Sequence, residues 1–228
     1  QADSLGYAPL AERIANAICR TPRNQGYVLA VHGEWGSGKS SLLNFVKHYL
    51  SERDEASRPI IVEFNPWWFK DHEDLAAQFL AQFRAKLIRE TGSIRKVGDM
   101  LAHYSNAIGS AVVWSIPIPG LDKVVGFILR LFKREPKSVP QLKTQISRAL
   151  EANEKRTVFL VDDIDRLTPN EIRELFKVIK ALADFPNVTY LLAFDRMIVC
   201  DALHASLGVD GDAYIEKIVQ VPFSLPAI

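Results

Sequence analysis

The chain has 228 residues, 48% of them hydrophobic, with 28 Lys and Arg against 27 Asp and Glu and a formal net charge of +1. That is enough apolar material for one globular module with an insertion, and the balanced charge supplies no electrostatic footprint for DNA or RNA. Cys19 and Cys200 are lone thiols far apart in sequence; they fit a reducing, cytoplasmic setting with no disulfide framework, and read as core residues.

Gln1-Ala2-Asp3-Ser4 carries neither an initiator Met nor a charged-then-apolar signal, so the chain is expected to begin inside a longer protein. The first strand is predicted near 27 to 32, where Tyr27-Val28-Leu29-Ala30-Val31 forms an apolar run. Gly33-Glu34-Trp35-Gly36-Ser37-Gly38-Lys39-Ser40 follows, a match to G-x-x-x-x-G-K-[ST]. Leu42, Leu43, Val46, Tyr49 and Leu50 then recur at helical spacing. A strand therefore feeds a loop that opens a helix. Gly33, Gly36 and Gly38 can adopt backbone angles that a Cβ resists, letting successive N–H groups curl round a phosphate at the positive end of a helix. The segment from Gly33 to Ser40, with Ser41 after it, is the expected nucleotide-binding loop. Lys39 would reach the β- and γ-phosphates, and the Ser40 hydroxyl would ligate the accompanying Mg2+. His32, against the loop, reads as strand packing.

A second strand is predicted near 59 to 64. The stretch from Lys39 to Asp162 is longer than one helix, one strand and a further helix require, so an insertion is expected at about 90–140. Its middle, from Ala107 to Gly120 and on to Phe132, is conspicuously apolar, yet Pro117, Pro119, Gly120 and Asp122-Lys123 break it after roughly a dozen residues, short of the ~20 a spanning helix needs. A buried or partner-facing helical hairpin and a membrane-surface segment both fit. Lys133, Arg134 and Lys137 at its exit suit either an anionic surface or a solvated loop.

Thr157-Val158-Phe159-Leu160-Val161-Asp162-Asp163 is a continuous apolar run ending in two carboxylates, which predicts a buried parallel strand over 157 to 162 with charge at its C-terminal tip. Ligands of open α/β sheets gather there. Asp162 is placed to hold Mg2+ through water, and Asp163 to polarise the water that attacks the γ-phosphate. Adjacent side chains on a strand point to opposite faces, so one residue cannot do both. Thr168-Pro169-Asn170-Glu171 is a capping box with Pro at the first helical position, and Ile172, Leu175, Phe176, Ile179 and Leu182 form one apolar face behind it. Further strands are predicted near 188 to 194 and 217 to 223. Pro222 would remove a ladder hydrogen bond, which places the last strand at an edge. Five apolar runs alternating with helical patterns indicate an α/β fold with a parallel sheet covered on both faces.

Gly33 to Ser40, Phe64-Asn65-Pro66-Trp67-Trp68, Val161-Asp162-Asp163-Ile164-Asp165-Arg166 and Tyr214-Ile215-Glu216-Lys217-Ile218-Val219-Gln220-Val221-Pro222-Phe223 together resemble the KAP family of P-loop NTPases. The resemblance runs nearly the whole length, from Asp3-Ser4-Leu5-Gly6 before an amphipathic helix at 5–20 to Phe223-Ser224-Leu225-Pro226. It implies a three-layer P-loop ATPase of the additional-strand class, related to the STAND signalling ATPases, with sheet order 5-1-4-3-2. It also implies apolar, often membrane-spanning insertions, from which this broken insertion departs.

If strands two and three are neighbours, as that order implies, Asn65 lies beside Asp163; its amide either holds the catalytic carboxylate until a partner binds or only forms the turn before Pro66. Trp67 and Trp68 are expected to pack against the insertion rather than touch ligand. Asp195, in the sensor position after the fourth strand, either feels the γ-phosphate through water or metal or caps the helix from Met197. Arg166 either stabilises transition-state charge, in its own or a neighbouring subunit, or pairs with Asp163 or Asp165. The segment from Leu5 to Ile18 matches the family's opening and is the candidate for the adenine. The Asn-Lys-x-Asp signature of guanine-specific GTPases is lacking, so ATP is expected, and no basic lid suggests a small-molecule kinase.

The expected function is Mg2+-dependent ATP binding and hydrolysis, slow in isolation, driving a conformational switch in bacterial signalling or defence against phage and mobile elements. The alternative is an ATP-clamped interaction scaffold, peripheral to the inner face of a membrane, with little turnover. Expected partners are a protein, or a second copy, engaged through the insertion. A helical lid with a further sensor arginine is expected to lie beyond Ile228.

Overall fold

The computed structural model describes residues 3–69, 75–90 and 139–225. In chain order the elements are α1 (Ala8–Arg20), β1 (Tyr27–His32), α2 (Lys39–Ser51), β2 (Ile60–Phe64), α3 (Leu75–Glu90), α4 (Val139–Glu151), β3 (Thr157–Val161), α5 (Pro169–Leu182), β4 (Val188–Phe194), α6 (Arg196–Leu207), α7 (Gly211–Glu216) and β5 (Val221–Ser224). Short 3-10 turns at Pro66–Phe69 and Ile164–Arg166 follow β2 and β3. The predicted insertion falls almost wholly on 91–138, outside the described residues. So do the hairpin, membrane-surface and partner expectations attached to it. No helix among the described residues is long and apolar enough to cross a membrane.

The five strands form one sheet in the order β2-β3-β4-β1-β5, all parallel, which is the expected 5-1-4-3-2 read from the other edge. Strand residues alternate between its faces as the two-residue pleat requires. Leu29, Val31, Val158, Leu160, Leu191 and Ala193 face α1 and α2, where Ile14, Ile18, Leu42 and Val46 meet them. Val28, Ala30, Phe159, Val161, Tyr190 and Leu192 face the other way, toward α3, α5 and α6. Both faces are thus covered, giving the three-layer sandwich, and all seven residues of β4 are buried. Phe79, Phe159 and Tyr190 stack in sequence across the second face, with ring centres 4.7 and 5.1 Å apart, and the Tyr190 hydroxyl donates to Leu182 O at 3.1 Å.

Three strands differ in their bounds from the sequence expectation, β2 by the one residue at its start. The fifth strand begins at Val221, not at 217. The backbone N–H groups of both Ile218 and Val219 bond to Ile215 O, so their apolar side chains reach the core from a helix end rather than a strand. Pro222 does sit at the edge, paired only with β1. The third strand ends at Val161, one residue before Asp162. The carboxylates therefore diverge through the turn that follows, in which Asp163 takes a left-handed conformation with φ 57°. The two cysteines are half-buried at the margins of the two cores rather than fully inside, and the Cys200 thiol donates to Asp212 Oδ1 at 2.9 Å.

Candidate functional site

The parallel strands bring every loop that follows a strand to the same lip of the sheet. Behind β1 the glycine-rich loop turns into α2. Gly38, at φ 83°, packs so closely on the N-terminal segment that a Cβ there would lie 2.6 Å from Leu5 Cδ1. Gly33 passes over Ser37 so closely that a Cβ would meet its Oγ at 2.3 Å. The Tyr7 hydroxyl donates to Ser37 O at 2.8 Å, so the segment from Leu5 onward borders the loop. Lys39 is buried. Its Nζ donates to Gly33 O at 2.9 Å and Glu34 O at 3.1 Å, and it lies 3.2 Å from Asp165 Oδ2.

The β3 loop meets this one. Burial pushes the Asp162 carboxyl pKa up, and the neighbouring Ser40 hydroxyl works against that shift. Asp163 starts the 3-10 turn, in which residues i and i+3 eclipse, and this sets Arg166 directly over it, Nε to Oδ1 at 2.6 Å. Of the two carboxylates Arg166 could have met, the structure selects Asp163. Asp165, almost wholly buried, accepts from the Asp195 backbone N–H at 3.0 Å while pairing with Lys39, and so ties β1, β3 and β4 together at their tips. Sequence reasoning left Asp165 without a role of its own; its signal was the third carboxylate of Asp-Asp-Ile-Asp, placed by the turn toward the loop lysine.

Asn65, after β2, makes both contacts that its position allowed. Its Nδ2 donates to Asp163 Oδ2 at 2.6 Å, and its Oδ1 accepts from Trp67 N at 3.1 Å to close the turn. The Asp195 side chain caps α6, accepting from Met197 N and Ile198 N at 3.0 and 3.4 Å. Arg166 Cζ lies 4.6 Å from the Trp35 ring centre and 5.5 Å from that of Trp67. Trp35, Trp67 and Trp68 are all exposed, and the insertion that Trp67 and Trp68 were expected to meet lies outside the described residues. His32 is buried edge-on to Phe194, ring centres 4.7 Å apart, as strand packing.

The residues fit a Mg2+ nucleotide. The loop is a cradle that side chains would fill, and Ser37 Oγ is buried with no hydrogen-bond partner among the described residues. The Ser40 hydroxyl and, through water, the Asp162 carboxylate offer the hard oxygens that Mg2+ would take. No three of the described His, Cys, Asp and Glu residues converge on a metal-sized site.

The sequence profile described as KAP family P-loop domain matches residues 7–227. The phage T7 exclusion protein of Escherichia coli strain K12 is 27% identical over 250 residues, covering 98% of this chain and 33% of that protein. The chain thus spans about a third of the curated relative it matches. Among solved structures, the Aeropyrum pernix ORC2 protein in ADPNP and ADP complexes is 12% identical, with a TM-score of 0.49 over 96% of this chain and 47% of that one. Cdc6p from Pyrobaculum aerophilum is also 12% identical, with a TM-score of 0.43 over 96% and 45%.

Proposed function

The chain belongs to the KAP family of P-loop NTPases, and from that premise we propose that it binds Mg2+·ATP at the lip of the sheet and hydrolyses it slowly. One observation carries the proposal: the loop lysine and the aspartate-rich tip of β3 meet in one place, with Lys39 Nζ 3.2 Å from Asp165 Oδ2. The loop from Gly33 to Ser41, with Glu34, Trp35, Gly36, Ser37 and Gly38, offers its backbone N–H groups to the phosphates, and Lys39 exchanges Asp165 for them. Ser40 and Asp162 hold Mg2+, which when bound supplies charge neutralisation to the phosphates. Asp163 accepts the proton of the attacking water. Asp195 passes the state of the site to α6, whose N-terminus it caps.

Asn65 restrains the Asp163 carboxylate until a partner engages, a switch by hydrogen bond. Asn65→Ala is expected to raise basal phosphate release; an unchanged rate removes that role. The partner is a protein, a choice supported by the near-neutral charge, and it is met in the cytoplasm. The likeness to a phage exclusion protein supports a place in anti-phage defence.

Single-turnover hydrolysis tests the enzymatic proposal. Asp163→Asn should abolish phosphate release while leaving nucleotide bound. Equal release from wild type and variant would instead mark an ATP-clamped scaffold.

A further inference from the structure

Two tryptophans that phosphate chemistry does not call for stand at the mouth of the site. Trp35 belongs to the phosphate loop yet is 67% exposed, and Trp67, after β2, is 42% exposed. The Arg166 guanidinium lies against both, 4.6 Å from one ring centre and 5.5 Å from the other. A cation over these ring faces is attracted by their quadrupoles. Arg166 is also half-exposed, and a half-exposed arginine has little reason of its own to keep one rotamer for a carboxylate. With the rings against it, the guanidinium keeps its edge directed at Asp163, Nε to Oδ1 at 2.6 Å. Asn65 takes the other oxygen at 2.6 Å, so both ends of the Asp163 carboxylate are tied to the protein.

We infer that Trp35 and Trp67 are positioning residues for Asp163, acting through Arg166, and that Trp35 makes the restraint on that carboxylate depend on whether the phosphate loop is filled. The inference rests on the nucleotide reading of the site. Trp35 is the link because it sits in the loop itself, two residues before Ser37, whose hydroxyl is buried and unpartnered among the described residues. A loop that re-forms its backbone round an anion carries the Trp35 ring with it. Arg166 then loses one of its two ring contacts, which loosens its hold on Asp163. Trp67 stays behind on the β2 turn, held by its own N–H to Asn65 Oδ1 at 3.1 Å. Lys39 undergoes the matching exchange on the other side of the loop, since its charge is also held by a carboxylate. Two internal ion pairs thus hold the charges at the lip of the sheet, Lys39 with Asp165 between the two motifs and Arg166 with Asp163 within the β3 motif.

The test uses the full chain labelled with 5-fluorotryptophan, its fluorine signals assigned by Trp35→Phe, Trp67→Phe and Trp68→Phe. Without nucleotide, Arg166→Gln should move the Trp35 and Trp67 signals and leave that of Trp68, which is 68% exposed and makes no stacking contact with Arg166 among the described residues. A non-hydrolysable Mg2+·ATP analogue should move the Trp35 signal in the wild type. Arg166→Gln and Trp35→Ala should each raise single-turnover hydrolysis by about 3-fold to 10-fold, and the double variant should exceed neither by much, because both act on one restraint. Trp35→Phe, which keeps an aromatic face, should give a smaller rise than Trp35→Ala. Calorimetric heat from the analogue with unmoved Trp35 and Trp67 signals overturns the inference while leaving the nucleotide reading in place. A fall of about 100-fold or more in Arg166→Gln overturns it too, by marking an arginine that acts on the phosphate itself. No heat from folded protein overturns both.

Discussion

His32 shows how much a single buried side chain can report. Both ring nitrogens are buried without partners among the described residues, and its pKa is pushed down from 6.5 to about 4. Burial is the main cause; the neighbouring Arg196 adds to it, while Asp212 and Asp195 oppose it. The unfolded chain therefore binds a proton that the folded chain refuses. Stability from this residue is complete above about pH 6.5 and is lost as the pH falls toward 4, by at most about 3 kcal/mol. Urea unfolding at pH 7.5 and 5 should show that loss, and His32→Leu should flatten it; an unchanged slope in the variant would place the titration elsewhere. Gly38 makes a second case. Its φ of 83° disfavours any Cβ, and the added atom would meet Leu5 and Tyr7. Gly38→Ala is expected to cost about 1–2 kcal/mol and to abolish nucleotide binding, read by thermal unfolding with and without Mg2+·ATP.

At the scale of elements, what was legible in the sequence was whatever a local rule controls. The capping box of α5 forms as spelled: Thr168 N–H donates to Glu171 Oε2 at 2.8 Å, and the Thr168 hydroxyl accepts from Glu171 N at 3.5 Å. Thr168→Ala should therefore cost about 1 kcal/mol in chemical denaturation, and a neutral result would show that packing of Ile172, Phe176 and Ile179 alone holds the helix start. β1 and β4 were legible to the residue because their apolar runs are bounded by the glycine loop and by Asp195. The stretch from Lys217 to Gln220 was misread because a buried apolar pair looks the same whether a strand or a helix end delivers it. The 3-10 turn after β3 was hidden in the same way. No periodicity announces three residues, yet this turn decides that Arg166 meets Asp163 and leaves Asp165 for Lys39.

For the whole molecule, order of strands is not a local property. Alternating strands and helices indicated a parallel sheet, but the placement of β4 between the two motif strands came from family likeness and could not have come from hydropathy. That placement matters. With β4 between them, Asp195 N–H on Asp165 joins the tips of β4 and β3, Lys39 on Asp165 adds the loop after β1, and the β2 tip supplies Asn65 to Asp163. The same layering makes Phe159 the centre of the second core, stacked between Phe79 and Tyr190. Phe159→Ala should lower stability by about 3–5 kcal/mol in equilibrium denaturation, and a loss below about 1 kcal/mol would contradict the packing described.

The central claim is that the lysine loop and the aspartate tip form one Mg2+·nucleotide site. Titration calorimetry of Mg2+·ATP into wild-type protein and into Lys39→Ala, each shown to be folded by circular dichroism, tests it most directly. The account predicts one site per chain in the wild type, weakened on omission of Mg2+ and lost in the variant. Absence of heat from the wild type, or equal binding by Lys39→Ala, would contradict it.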